Sequence, residues 1–386
     1  MLNILILWLT FAFFSFGVLG INYFYTREVA KKPWKIKANK KYMPKVSIIV
    51  PTYNEYEIIG YKLRNLARLE YPKSLMQVVF IDSQSTDSTV NVIREFAEDH
   101  PEMNIKILVE SERRGKSSAL NRALKSCSGE IVIVSDADCF WPPNILSKAL
   151  SYLADPAVGA VSGPKKLLNS ESSQVTKSEA AYLKSANLMK LGDSKKSSTI
   201  LFEGGFSAYR KKALGSFDPY DTGSDDCGTV IRVLEQNFRA IMIPEAEFFT
   251  TFPKTWMGKL EIKMRRTNQL VQILKNYVIL LFKNEIKTGK EVVAKNLIVY
   301  LLGPLMFLFF VVTTVYLMVK FPLAVLLLLV FLIPKVRGYL IEATLNYLIL
   351  LYSIVSTISR KKFMVWKKPE DRTLLTEDML LQKGLI

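Results

Sequence analysis

The chain has one histidine in 386 residues, His100, set in the polar run Glu98-Asp99-His100-Pro101. A Ser-His-Asp or Cys-His catalytic pair is therefore excluded unless that residue carries it, and its setting reads as a surface loop. Cysteine is nearly as scarce. Cys127, Cys139 and Cys227 are odd in number and share no short metal-ligand spacing. Neither a disulfide framework nor a zinc site is indicated, and reduced thiols in a cytosolic compartment are expected. Glycine-rich phosphate loops are missing too. Arg114-Gly115-Lys116-Ser117 looks like the end of a P-loop, but the glycine required five residues before Gly115 is Glu110. No Gly-x-Gly-x-x-Gly follows the first candidate strand, so a dinucleotide site is not supported.

Acidic charge is in deficit, with 35 Asp and Glu against 52 Lys and Arg and a net charge of +17. The excess is local. Residues 26–45 carry eight basic side chains against Glu28, residues 254–295 ten against three acids, and residues 360–372 six against two. A nucleic-acid binder would spread basic residues over a folded face. Here they flank apolar segments, as membrane-adjacent loops facing anionic lipid do, so a membrane is the expected partner and nucleic acid is not.

Residues 2–25 are nearly charge-free and long enough to cross a bilayer, which takes about 20 residues. They have neither the basic start nor the small-residue cleavage site of a signal peptide, and read as a retained anchor. The basic stretch after them places the following domain in the cytoplasm. Residues 297–319 span easily. Residues 338–359 are long enough although Glu342 and Asn346 lie one turn apart on one helix face. Between these two, residues 321–334 are apolar but only 14 long, which favours an interfacial or re-entrant element. Three crossings are expected. A fourth would leave Arg360, Lys361, Lys362, Lys367 and Lys368 outside, against the positive-inside bias. Residues 256–282 interleave Lys and Arg with Trp, Met, Leu, Ile and Val. They read as one or two amphipathic helices at the membrane surface, or as an ordinary helix packed on the soluble domain. The chain thus divides into an anchor (1–25), a basic linker (26–45), a soluble domain (46–253), amphipathic helices (254–296), membrane helices (297–359) and a basic cytoplasmic tail (360–386).

Within the soluble domain, β-branched runs at 46–50, 77–81, 105–109 and 131–135 alternate with helical spacing at 56–69, 86–98 and 117–126. That alternation predicts an α/β fold, a mainly parallel sheet with helices on both faces, and such folds bind ligands beyond the carboxyl ends of the strands. The polar residues there are Thr52, Asn54 and Glu55, then Asp82, then Asp136 and Asp138. Two carboxylates at i and i+2 just past a buried strand can hold a hard divalent cation, although Asp after a strand is also a good turn former.

These residues lie in a series. Val46-Ser47-Ile48-Ile49-Val50-Pro51-Thr52-Tyr53-Asn54-Glu55, Asp82-Ser83-Gln84-Ser85-Thr86-Asp87-Ser88-Thr89, Gly115-Lys116-Ser117-Ser118-Ala119-Leu120-Asn121 and Asp136-Ala137-Asp138 resemble, in order and spacing, the motifs of family 2 glycosyltransferases. The likeness runs from about Val46 to Thr251. The flanking membrane segments make the whole similar to the cellulose-synthase-like branch on a reduced scale. The resemblance implies a Rossmann-like GT-A fold, a nucleotide-sugar donor and inversion at the anomeric centre. It makes Thr52, Glu55 and Asp82 contacts to base and ribose, puts Lys116 near the diphosphate, Asp136 on nucleotide or sugar, and Asp138 on a bridging Mg²⁺ or Mn²⁺. Phe202-Glu203-Gly204-Gly205 falls at the acceptor-side loop. Ser224-Asp225-Asp226 matches a Thr-Glu-Asp motif whose last acid, here Asp226, is the base. The same two acids would also cap a helix at 228–236. Processive members carry Gln-x-x-Arg-Trp. Here the stretch is Lys263-Met264-Arg265-Arg266-Thr267, in which Arg266, or Arg265 if the register slips by one, keeps the cation and Thr267 replaces the aromatic ring.

The expected activity is metal-dependent, inverting transfer of one hexose from GDP-mannose or a UDP-hexose, mannose being favoured, to a polyprenyl-phosphate-linked or other membrane-lipid acceptor. A processive polysaccharide synthase is the alternative enzyme. An inactive scaffold of the same fold is the alternative of another class.

Overall fold

The computed structural model describes residues 2–323, 332–358 and 374–386. The expected re-entrant element at 321–334 falls largely outside the described residues, as do Arg360, Lys361, Lys362, Lys367 and Lys368. Among the described residues nine strands form: β1 (Val46–Thr52), β2 (Met76–Asp82), β3 (Asn104–Val109), β4 (Ile131–Val134), β5 (Val158–Ser162), β6 (Lys165–Leu167), β7 (Ser207–Arg210), β8 (Arg239–Met242) and β9 (Phe248–Thr250). Seven make one sheet in the order β3-β2-β1-β4-β7-β5-β8, and β6 pairs with β9 in a second. Strands β1 to β4 are mutually parallel, and β7 runs antiparallel between β4 and β5.

The central strands read as unbroken apolar runs because both faces are covered. Ile48, Val50, Val78, Phe80, Ile131 and Ile133 point to one side, against Ile59, Leu63, Leu66 and Ile93 of the helices Tyr56–Ala67 and Thr89–Asp99. Ile49, Val79, Ile81, Val132 and Val134 point to the other, against Ala119 and Leu120 of the helix Lys116–Leu124 and Val230, Ile231 and Leu234 of the helix Cys227–Glu235. Period-two alternation along each strand produces the two layers.

Among the described residues, three helices are long and apolar enough to cross a membrane: Asn3–Lys31, Lys290–Lys320 and Leu340–Thr357. They pack through aromatic contacts. The Phe16 ring meets Phe307 and Phe310 edge-on, Phe307 stacks on Tyr347, and Trp8 donates its indole N–H to Thr314 at 2.8 Å. Leu5, Ile6, Leu9, Val312, Val315 and Leu348 face outward, as a lipid-facing surface requires.

One continuous helix, Trp256–Phe282, joins this bundle to the domain. Its later residues Ile273, Leu274 and Tyr277 enter the second core layer. Its polar side chains meet the last membrane helix: Lys263 Nζ lies 2.7 Å from Glu342 Oε1 and 3.2 Å from Asn346 Oδ1, and Asn268 donates to Ser356 Oγ at 3.0 Å. Farther along the sequence, Leu380, Leu385 and Ile386 are buried with Phe140 of the domain.

Candidate active site

The carboxyl ends of β1 and β4 open on a cavity of about 280 Å³. Of the residues predicted from sequence, Thr52, Glu55, Lys116, Asp136, Asp138, Glu203, Gly204, Gly205, Asp225, Asp226, Arg265 and Arg266 all line it. Asp82 does not. The β1–β2 register sets it opposite Thr52, whose hydroxyl donates to Asp82 Oδ2 at 3.0 Å. The Ser85 amide and hydroxyl take up its carboxylate as well, so Asp82 is buried behind Thr52, and Ser83 takes its place on the wall.

Beyond β4 the chain turns through Asp136, Ala137 and Asp138. Asp136, Asp138 and Cys139 each bring one ligand-type atom within 4.8 Å of the others. Burial, with Asp138 and Asp136 alongside, pushes the Cys139 thiol well above its ordinary pKa and keeps it neutral. The usable donors are therefore two carboxylates, the oxygen chemistry that Mg²⁺ and Mn²⁺ take. The donor set fits the expected ion.

Lys116 begins its helix just after Gly115, whose φ of 95° suits glycine. Its Nζ bridges two acids, Asp136 Oδ1 at 2.5 Å and Asp225 Oδ2 at 2.9 Å. Burial works against this ammonium, but Asp136 and Asp225 outweigh it and raise its pKa above the ordinary lysine value. Burial lifts the Asp225 carboxyl to about 6; Lys116 pulls it down, while Asp226 and Asp136 add to the rise. Asp226 has different partners. Its Oδ1 caps the helix Cys227–Glu235, accepting from the Cys227 amide at 2.6 Å and from Ser224 Oγ at 2.5 Å. The capping reading thus holds for Asp226, and Asp225 turns to the lysine.

The Glu203–Gly205 loop closes over the same space. A Cβ on Gly204 would lie 3.2 Å from both Asp136 Oδ2 and Lys116 Nζ, and one on Gly205 only 2.1 Å from the Phe248 ring. Gly204 lets the backbone pass close to Asp136 and Lys116, and Gly205 lets it pass the Phe248 ring. Glu203 is ion-paired to Lys165 at 3.0 Å and to Lys190. Burial opposes its ionisation, and Lys165, Lys190 and Arg266 overcome that, holding the carboxyl below the usual range. Arg266 also lies 3.9 Å from the buried Glu179. Both Arg265 and Arg266 reach the wall, so the helix offers either cation to a ligand.

Sequence reasoning missed several wall residues. Tyr53 and Arg113 pair as a cation–π contact with 3.8 Å from guanidinium to ring centroid. Tyr53 sits inside a motif already singled out and Arg113 just before another, so their nearness to Thr52 and Lys116 was the available signal. Lys165, Gln269 and the segment 250–253 had none, since they reach the cavity from β6, a long helix and β9 by tertiary folding alone. The histidine stacks on Phe96 and does not line the cavity.

Curated relatives share this sequence in part. Probable glycosyltransferase YdaM of Bacillus subtilis is 26% identical over 260 residues, 65% of this chain and 61% of its own length. A beta-monoglucosyldiacylglycerol synthase of Nostoc is 34% identical over 141 residues, 36% of this chain and 30% of its own. The chain therefore spans less than two thirds of the length of either. Among solved structures, the mannosyltransferase PcManGT from Pyrobaculum calidifontis, in complex with GDP-Man and Mn²⁺, superposes with a TM-score of 0.77 at 29% identity, covering 93% of this chain and 100% of that one. The model for glycosyltransferase like family 2 matches residues 44–268, more than half of the sequence. A match of that extent, on a sheet whose strand ends carry the motifs in order, makes this chain a member of glycosyltransferase family 2 with the GT-A fold.

Proposed function

We propose that the protein transfers one hexose, with inversion, from a nucleotide sugar to a lipid-linked acceptor at the cytoplasmic face of a membrane, and that mannose from GDP-mannose is the favoured donor group. The observation that carries this reading is Lys116 held between Asp136 and Asp225, beside Asp138 and beneath Gly204, with Asp226 on the same wall. A diphosphate entering there meets Lys116 and the Arg265–Arg266 pair, and the two glycines leave room for it. Asp136 and Asp138 would hold Mg²⁺ or Mn²⁺, which when bound offsets charge on the leaving diphosphate. Lys116 and Arg266 add fixed positive charge in a site partly closed to water, where it stabilises that leaving group most. Asp226 accepts the proton of the attacking hydroxyl, its cap bonds fixing the orientation of the carboxylate.

The Mn²⁺ and GDP-Man of the Pyrobaculum structure and the lipid product named for the Nostoc relative support the metal, donor and acceptor classes. The three membrane helices support an acceptor arriving from the bilayer, and the basic residues 27–45 favour a cytoplasmic domain. The test is a thermal-shift screen of the purified protein against GDP- and UDP-sugars with Mg²⁺, Mn²⁺ or EDTA. Ligand at a hundred times its Kd adds about 2.7 kcal/mol of stability. The expected result is a metal-dependent shift with GDP-mannose exceeding that with UDP-hexoses. No shift with any nucleotide sugar would favour the inactive scaffold.

A further inference from the structure

The Asp136–Asp138 loop is gripped from below by one helix, and the far end of the chain completes the grip. Lys62, fully buried on the helix Tyr56–Ala67, donates to Ser135 Oγ at 2.6 Å and to the Cys139 carbonyl at 2.7 Å, one bond on each side of the two acids. One turn later the buried Asn65 pairs with Trp141 both ways: its Oδ1 accepts from the Trp141 amide at 3.0 Å and its Nδ2 donates to the Trp141 carbonyl at 2.8 Å. The same Nδ2 donates to the carbonyl of Leu385 at 2.6 Å. Arg68 reaches the carbonyl of Ile386, and Arg64 pairs with Glu377 at 2.6 Å. Leu380, Leu385 and Ile386 bury themselves against Phe140, whose backbone exchanges two 2.8 Å hydrogen bonds with Phe249 just ahead of the cavity wall at 250–253.

We propose that Lys62 and Asn65 are positioning residues for the Asp136–Asp138 loop, and that residues 374–386 are a strap that locks Asn65 and Phe140 in place, so that metal affinity depends on a segment some 240 residues away in sequence. Its metal part rests on the reading that Asp136 and Asp138 hold a divalent cation. A buried lysine and asparagine are costly in an apolar layer unless every polar atom is used. Here the atoms are spent on one short loop, through the Ser135 hydroxyl and the Cys139 and Trp141 backbone, and on the Leu385 carbonyl. The strap adds a third partner to Asn65 and an apolar cover to Phe140, which fixes the loop from its outer side. Groups that orient metal ligands in this way are worth roughly 10- to 100-fold in metal affinity.

The experiment uses the full chain, a chain ending at residue 373, and the variants Asn65→Ala and Leu385→Arg, the last keeping the whole sequence while unseating the strap. Hydrogen exchange of residues 136–141 and Mn²⁺ retention with GDP or UDP, read by electron paramagnetic resonance, are measured on each. We expect the loop amides to exchange at least about tenfold faster in all three altered chains and Mn²⁺ affinity to fall by about 10- to 100-fold. A peptide of residues 374–386 added to the shortened chain restores both. Unchanged loop exchange in the shortened chain and in Leu385→Arg overturns the strap, whatever the metal does. Faster exchange in chains that hold no Mn²⁺ even at full length supports the strap and sinks the metal reading alone.

Discussion

Asp225 and Asp226 are adjacent in sequence and differ in partners. The base role is proposed for Asp226, which is oriented by the helix it caps. Asp226→Asn keeps the cap, because an amide oxygen accepts the same bonds, and keeps Lys116 and Asp138 for the donor. Nucleotide affinity should stay within a factor of a few while turnover falls by roughly a hundred- to ten-thousand-fold, measured as kcat against Kd for the nucleotide. Transfer at near the native rate would remove Asp226 from the role. Asp225 shows itself through pH. Burial raises its carboxyl from 3.8 to about 6, so between those values the folded chain holds a proton that the unfolded chain has released. Its contribution to stability is therefore greatest below the lower value and is lost as pH rises through about 6. Thermal unfolding midpoints of the native protein and Asp225→Asn across that window check this, and the variant should lack that part of the slope. Thr52, Lys116, Asp136 and Asp138 were legible in the sequence because each follows a strand or turn that its neighbours announce. The burial of Asp82 was not, since the motif places it at a strand end without saying which way its carboxylate is occupied. Lys165 and Gln269 were illegible for another reason: only the folded chain brings β6 and the helix Trp256–Phe282 to the cavity.

At the scale of elements, the four strand runs predicted at 46–50, 77–81, 105–109 and 131–135 form within two residues of those bounds, because continuous β-branched burial leaves little freedom. The antiparallel β7 escaped notice. Its four residues Ser-Ala-Tyr-Arg carry no apolar run, and pairing with β4 and β5 makes it a strand. The helix Trp256–Phe282 connects membrane and chemistry, since Arg265, Arg266 and Gln269 face the cavity while Lys263 holds Glu342 and Asn346 of the last membrane helix. Glu342 and Asn346 are thus engaged by the protein's own lysine. A double-mutant cycle over Lys263→Met and Glu342→Gln should show a coupling of up to about 1 kcal/mol in thermal stability, kept small because the Glu342 side chain is 44% exposed. Additive losses would mean that the pair does not anchor the helix.

For the whole molecule, the placement of the final segment bears on how the chain threads the membrane. Residues 374–386 pack on the catalytic domain, and an even number of crossings after the domain, as proposed here, would put them on its side. Among the described residues, one candidate span before the domain and two after it accord with the proposed three crossings. The three candidate spans among the described residues are few to enclose a channel for a growing polysaccharide, and Thr267 stands where the resemblance puts the tryptophan of processive members. Both features favour a single addition to an acceptor that stays in the bilayer. The most direct measurement is mass spectrometry of lipid products made by the purified enzyme from excess nucleotide sugar, Mn²⁺ and a membrane-lipid extract. The account predicts a lipid heavier by one hexose, formed only with the metal present. A ladder of many-sugar chains would contradict it.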